Sequence, residues 1–208
     1  MTESFAVDRR YEAEARIRRF LDQENPSTPC LVIDLCLARG ATPASISYSN
    51  PIKKAADIAY AYSRGVRLFV SDSEQDVRFV ARHAPGSSVL VRILVHSKGS
   101  TYPFGNKFGC DPEMATDLLR LAHELGLVPL GVAFHAGSQQ LSVQGWDSGI
   151  ADAALIASKL RAEGVETTTV NLGGGLPAVY QEDTPALEAF ASAIDPRLQK
   201  TDIHGGIH

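Results

Sequence analysis

Short apolar runs alternate with longer stretches of helical periodicity along most of this chain, and that alternation constrains its fold more than any other feature. The runs Cys30–Leu35, Ile46–Ser49, Arg67–Val70, Val89–Val95, Leu130–Phe134 and Thr168–Leu172 read as strands. They carry little polar alternation, as expected when both faces of a sheet are covered. Helices fall between them. Ser73 caps one, with Asp76 three residues on and an apolar stripe at Val77, Val80, Ala81 and Ala84. Asp111-Pro112 opens a second, whose apolar face runs through Leu118, Leu121 and Leu125 to a stop at Gly126. A third spans Trp146 to Arg161 and closes at Gly164. Strand and helix in alternation predict an α/β fold with parallel strands, as either a barrel or a doubly wound sheet.

Length and composition narrow the class further. The 208 residues, 44% hydrophobic and 21% charged, suit one domain with a substantial core. A net charge of -4 gives no reason to expect a nucleic-acid partner, and no apolar run has the length of a membrane span. The charged N-terminus lacks the apolar segment of a signal peptide. Cys30, Cys36 and Cys110 are odd in number and without metal-ligand spacing, so they read as reduced thiols of a cytoplasmic protein with no metal site. Residues 1–27 read as an N-terminal helical arm, with a helix from Tyr11 to Gln23, and residues 28–194 as the main domain. Residues 195–208 lose periodicity and read as a disordered tail; Gly205-Gly206 keep His204 and His208 from aligning as metal ligands.

Two strand ends carry candidate chemistry. His135 closes one apolar run and is followed by Ala136-Gly137-Ser138-Gln139. In parallel α/β folds the carboxyl ends of the strands form the functional face. An imidazole there can stack on a flat ligand while Ser138 reaches an anion; the same histidine also reads as half-buried and bonded to a neighbouring loop. The next run leads into Gly173-Gly174-Gly175, whose backbone N–H groups suit a phosphate, or which serve as a flexible turn. No Gly-Lys-Ser/Thr follows, and the spacing is not that of a dinucleotide fingerprint. A phosphorylated aromatic cofactor would satisfy both strand ends.

FHAGSQ (Phe134–Gln139) and NLGGGLPA (Asn171–Ala178) resemble the barrel domain of the pyridoxal-phosphate-dependent decarboxylases of basic amino acids, which shares its fold with alanine racemase. TPCLVIDL (Thr28–Leu35), SYSNPIK (Ser47–Lys53), GVRLFVSDSEQD (Gly65–Asp76), VLVRILV (Val89–Val95) and KFGCDP (Lys107–Pro112) agree in the same order. The FHAGS form leans toward the ornithine and lysine enzymes. The resemblance implies a TIM-type (β/α)8 barrel of parallel strands with surrounding helices, pyridoxal 5'-phosphate as cofactor and a small basic amino acid as substrate. It further implies His135 against the pyridine ring, with Ser138, Gly173, Gly174 and Gly175 at the phosphate.

The chain also departs from the family. The family's Schiff-base lysine lies in a motif of the type Tyr-Ala-Val-Lys-Ala-Asn, between the segments matched here by Thr28–Leu35 and Ser47–Lys53. Only twelve residues separate Asp34 from Ser47, and the motif is absent. The stretch 36–46 therefore reads as a junction across two lost β/α units, making the barrel incomplete. Lys53 matches the family's Asn-Pro-x-Lys position rather than the anchor, and Lys54 reads as solvated. No match to the family's Glu-Pro-Gly-Arg segment or its β-domain follows Ile194. These departures imply no catalytic residue in place, no covalent cofactor attachment and little turnover from this chain alone. They leave two roles within the family: a defective decarboxylase, or a non-catalytic homologue that pairs with a full-length enzyme. An unrelated phosphate-binding α/β enzyme would account only for His135 and the glycine loop.

Overall fold

The structure, a computed structural model, describes residues 15, 18, 19, 23, 28–103, 107–179, 183–201 and 203, and the side chains of 28–31 lie outside that description. The chain divides into two units, residues 1–42 and 43–208. Of the expected N-terminal helix, the described positions Ala15, Arg18, Arg19 and Gln23 are helical, and the remainder lies outside the described residues.

The first unit holds helix α1, Thr28–Ala38, where the sequence predicted a strand over Cys30–Leu35. The physical reason lies at the end of the run. Gly40, at φ 92°, lets its own N–H reach the Leu37 carbonyl and the Ala41 N–H reach the Cys36 carbonyl, which together close a helix by a Schellman motif. A continuous apolar run has no period that separates strand from helix, so its terminator decides.

The second unit is built on strands β1 (Ser47–Tyr48), β2 (Leu68–Ser71), β3 (Ser88–Arg92), β5 (Val128–Ala133) and β7 (Thr169–Asn171), all parallel and in the order β1-β2-β3-β5-β7. The order follows the chain without reversal. A doubly wound sheet reverses at a switch point, so this succession is that of a barrel segment. The crossovers carry α2 (Ala55–Ser63), α3 (Glu74–His83), α4 (Pro112–Glu124) and α5 (Asp147–Ala162). The Ser73 hydroxyl accepts the Asp76 N–H at the start of α3. The Asp111 carboxylate accepts the N–H groups of Glu113 and Met114 at the start of α4.

The helices cover one face of the sheet. Val77 and Val80 of α3, Leu119 and Ala122 of α4 and Ile156 and Leu160 of α5 are buried, as are Phe69, Val89, Val91 and Val132 of the strands. Each such aliphatic side chain contributes about 1.5–3 kcal/mol. The opposite face carries a smaller cluster of Val70, Leu90 and Ala133, flanked by Leu68 and Leu130.

Two elements escape the sequence pattern. Strands β4 (Ser100–Tyr102) and β6 (Ser138–Gln140) pair antiparallel in a separate ribbon. They come from the loops after β3 and β5, so the ribbon stands over the carboxyl ends of the sheet. The second element is α6, Leu187–Leu198, which carries residues 195–198 of the expected disordered tail. Pro196 removes one hydrogen bond near the end of this helix, yet the Arg197 guanidinium grips the Asp147 carboxylate at 2.7 and 2.9 Å and fixes the last turn to the start of α5. His204 and His208 lie outside the described residues. No helix among the described residues is long and apolar enough to cross a membrane.

Candidate functional site

The carboxyl ends of β3, β5 and β7 bring the chemistry-bearing residues together. Beyond β5, the Phe134 N–H bonds the Asn171 carbonyl at 3.0 Å, which carries the pairing with β7 one step past the strands. His135 follows, with its Nδ1 accepting the Gly137 N–H at 2.9 Å. That bond assigns the acceptor nitrogen, so the neutral ring carries its proton on Nε2. Burial, reinforced by the Arg92 guanidinium, holds the imidazole below its ordinary pKa and therefore neutral.

The glycine loop meets this ring. A Cβ added to Gly174 would stand 3.6 Å from His135 Nε2, and one on Gly175 3.5 Å from its Cε1. The three glycines have different reasons to be glycine. A Cβ on Gly173 would fall 1.9 Å from the Phe134 carbonyl oxygen, and one on Gly175 2.2 Å from that of Gly137. Both residues also sit at positive φ, 66° and 114°. Gly173 and Gly175 are thus required by the approach of one loop to another. Gly174 meets no such carbonyl, and its missing Cβ leaves space open beside the imidazole. Asn171 Oδ1 takes the Gly173 N–H at 2.8 Å, whereas the N–H groups of Gly174 and Gly175 have no acceptor among the described residues. Two unspent backbone donors at a tight glycine turn form a cradle for an anion.

Ser138 begins β6 opposite Tyr102. It stands between Gly137, whose carbonyl lies against Gly175, and Gln139, whose side chain bonds Ala178. His135, Ser138 and the glycine run therefore belong to one neighbourhood.

A neighbouring cavity was barely legible in the sequence. A cavity of about 120 Å³ is bounded by Arg92, His96, Ser97, Phe108, His135 and Gly137. The Arg92 guanidinium carbon stands 5.3 Å from the Phe108 ring centre, and Asp72 holds the neighbouring loop by accepting the Gly109 N–H at 2.9 Å. A single cation at the end of the apolar strand Val89-Leu90-Val91-Arg92 was the one available signal. His135 is shared: it lines that cavity with Arg92, and its ring meets Gly174 and Gly175; an imidazole, an arginine and unpaired backbone N–H groups are the donor types that suit a flat, anionic, phosphorylated ring.

Lys53 lies elsewhere. Its Nζ donates to Asp76 Oδ2 at 2.5 Å, the Val70 carbonyl at 2.6 Å and the Asn50 carbonyl at 3.0 Å. Three acceptors use all three protons of an ammonium, which keeps the amine charged although burial lowers its pKa. Lys54 is exposed at the N-cap of α2.

Similarity to known proteins extends over most of the chain. Residues 32–206 match the family described as pyridoxal-dependent decarboxylase, pyridoxal binding domain. The lysine/ornithine decarboxylase of Selenomonas ruminantium is 33% identical over 162 residues, covering 77% of this chain and 41% of that protein. The ornithine decarboxylase of Rattus norvegicus is 32% identical, with 81% and 36% covered. Antizyme inhibitor 2 of Xenopus laevis is 30% identical, with 80% and 36% covered. Among solved structures, lysine decarboxylase from Selenomonas ruminantium superimposes with a TM-score of 0.75 at 28% identity, over 83% of this chain and 46% of that one. SrLDC bound to PLP and cadaverine does so at 0.73 and 27%, over 86% and 46%. The chain spans less than half the length of each of these relatives.

Proposed function

The chain belongs to the pyridoxal-dependent decarboxylases, through their pyridoxal-binding domain, and on that premise we propose that it is an ornithine- or lysine-type member that holds pyridoxal 5'-phosphate without a covalent anchor. The observation that carries the reading is the meeting of the neutral His135 ring with the Gly174 cradle at one spot. His135 stacks against the pyridine ring, and the N–H groups of Gly174 and Gly175, with Ser138, hold the phosphate. Arg92 balances the anionic charge from the far wall. Pyridoxal phosphate, when bound, supplies an electron sink for bonds at a substrate's α-carbon. This chain's own residues orient the ring and neutralise the phosphate. Neither lysine beside the Asn-Pro-x-Lys match takes the anchor's role: Lys53 is committed to Asp76 and two carbonyls, and Lys54 caps α2 in solvent. The expected turnover on ornithine or lysine by this chain alone is accordingly low, and the three cysteines favour a cytoplasmic location.

The test is a pyridoxal phosphate titration followed by borohydride reduction and mass mapping. Saturable binding without an adduct supports the proposal. A stoichiometric adduct on one lysine overturns the non-covalent reading, and absence of binding overturns the cofactor site. A second reading, a non-catalytic partner of a full-length decarboxylase, is favoured by the relative named as an antizyme inhibitor rather than a decarboxylase. Stable co-sedimentation with a full-length ornithine or lysine decarboxylase supports it, and two independent boundaries count against it.

A further inference from the structure

Gln139 and Gln140 are consecutive residues at the end of β6, and their side chains secure two different loops. The Gln139 amide pairs in both directions with one residue of the glycine loop. Its Oε1 accepts the Ala178 N–H at 2.7 Å, and its Nε2 donates to the Ala178 carbonyl at 2.9 Å. The Gln140 backbone N–H adds a bond to the Gly175 carbonyl at 2.8 Å. The fully buried Gln140 side chain works on the other side, donating to the Ala136 carbonyl at 2.9 Å and to Ser97 Oγ at 3.2 Å while accepting the Ser142 N–H at 2.9 Å. Gln139 is also the single non-glycine residue at positive φ, 50°, among the described residues. A glycine would adopt that conformation at lower cost, so the glutamine's side chain has to be worth the strain.

We infer that Gln139 is a positioning residue for the anion cradle, using its two-way amide bond to Ala178 to hold Gly174 and Gly175 against His135. The inference rests on the cradle reading above, and it adds a side chain to which neither composition nor motif spacing assigned a role. Gln139 touches no cofactor atom in this role. It limits the freedom of the loop between Asn171 and Ala178, whose other ties are the Asn171 side chain at Gly173, the Gly175 carbonyl at Gln140 and the Trp146 Nε1–H at the Leu172 carbonyl, 3.1 Å away. All of these act before or at Gly175, which leaves the far end of the loop to Gln139.

The decisive variant is Gln139→Gly, because it relieves the backbone while deleting the brace. Hydrogen exchange on the ligand-free protein is expected to quicken about tenfold or more at the Ala178 N–H, whose acceptor is deleted, and to stay unchanged in β3 and α4. The melting temperature should hold or rise. Pyridoxal phosphate, followed by quenching of Trp146, should bind about tenfold more weakly, and inorganic phosphate should compete less well. Gln139→Glu provides the conservative control. It keeps the acceptor for the Ala178 N–H but sets a carboxylate against the Ala178 carbonyl, so loop protection should be lost at pH 8 and recover toward about pH 5 as that carboxyl takes a proton. Unchanged loop exchange in Gln139→Gly, or a rise spread evenly over the core, overturns the inference. If the unmodified chain binds no pyridoxal phosphate, the cofactor reading falls, while the exchange measurement still decides the brace.

Discussion

Replacing Lys53 by methionine isolates the most deeply buried charge pair described. The Lys53 side chain is 0% exposed and that of Asp76 7%, and the methionine retains the apolar stem while deleting the ammonium. Two carbonyls, of Val70 and Asn50, then lose a donor, and Asp76 keeps only the Ser71 hydroxyl at 2.5 Å. Removing one partner of a buried pair costs about 3–5 kcal/mol, a large share of the roughly 5–15 kcal/mol that stabilises an ordinary domain. The loss should depend on pH. Burial already pushes the Asp76 carboxyl above its usual range, with Lys53 as the main opposing influence. Without Lys53 the folded carboxyl rises further above its unfolded value. A group so raised favours the folded state at low pH and opposes it progressively as pH climbs from the unfolded toward the folded value. The variant should therefore regain up to about 1.4 kcal/mol per pH unit on acidification within that window. Urea unfolding at pH 5, 6 and 7, followed by the fluorescence of the sole tryptophan, Trp146, measures it. A cost below about 1 kcal/mol at pH 7, or one independent of pH, would refute the reasoning.

The glycines should separate by variant. Gly175→Ala forces a Cβ onto the Gly137 carbonyl at positive φ and should cost about 2 kcal/mol or more in thermal unfolding, whereas Gly174→Ala should leave the melting temperature unchanged and weaken pyridoxal phosphate binding. His135 should titrate below about 6.5 by NMR. The unfolded chain then takes up that proton first, so stability should decline as pH falls from about 6.5 through the folded value, and His135→Gln should remove that component. Burial, with Asp72 and Asp111 adding to it, pushes the Cys110 thiol up to about 12. A disulfide reagent at pH 8 should therefore modify Cys110 only at the rate of unfolding; fast modification of the native protein would contradict that burial.

The legible and illegible parts of this protein divide by the range of the interaction. Ser73 with Asp76, and Asp111 with Pro112, announced α3 and α4 because a cap is written within four residues of the helix it starts. The apolar runs of β2, β3 and β5 were legible because burial on both faces demands an unbroken hydrophobic stretch. At Cys30–Leu35 the same argument misled, since an apolar run with no period is equally a helix and the terminator at Gly40 settled it. Past Ile194 the loss of periodicity suggested an end that the Arg197–Asp147 pair, fifty positions apart in sequence, postponed.

His135 and the glycine run stood out in the sequence because imidazole and consecutive glycines are unusual at strand ends, and their chemistry is local to the residue. The sequence by itself determined the alternation of parallel strands and helices, the order of the family's motifs and the placing of His135 and the glycine run at strand ends. Only the tertiary structure decided which glycines meet the carbonyl of a neighbouring loop, that Lys53 is spent on Asp76, and that two adjacent glutamines secure opposite loops. Those outcomes depend on which backbone carbonyl or carboxylate stands within about 3 Å of a side chain, and that distance is set by chain segments tens of residues away.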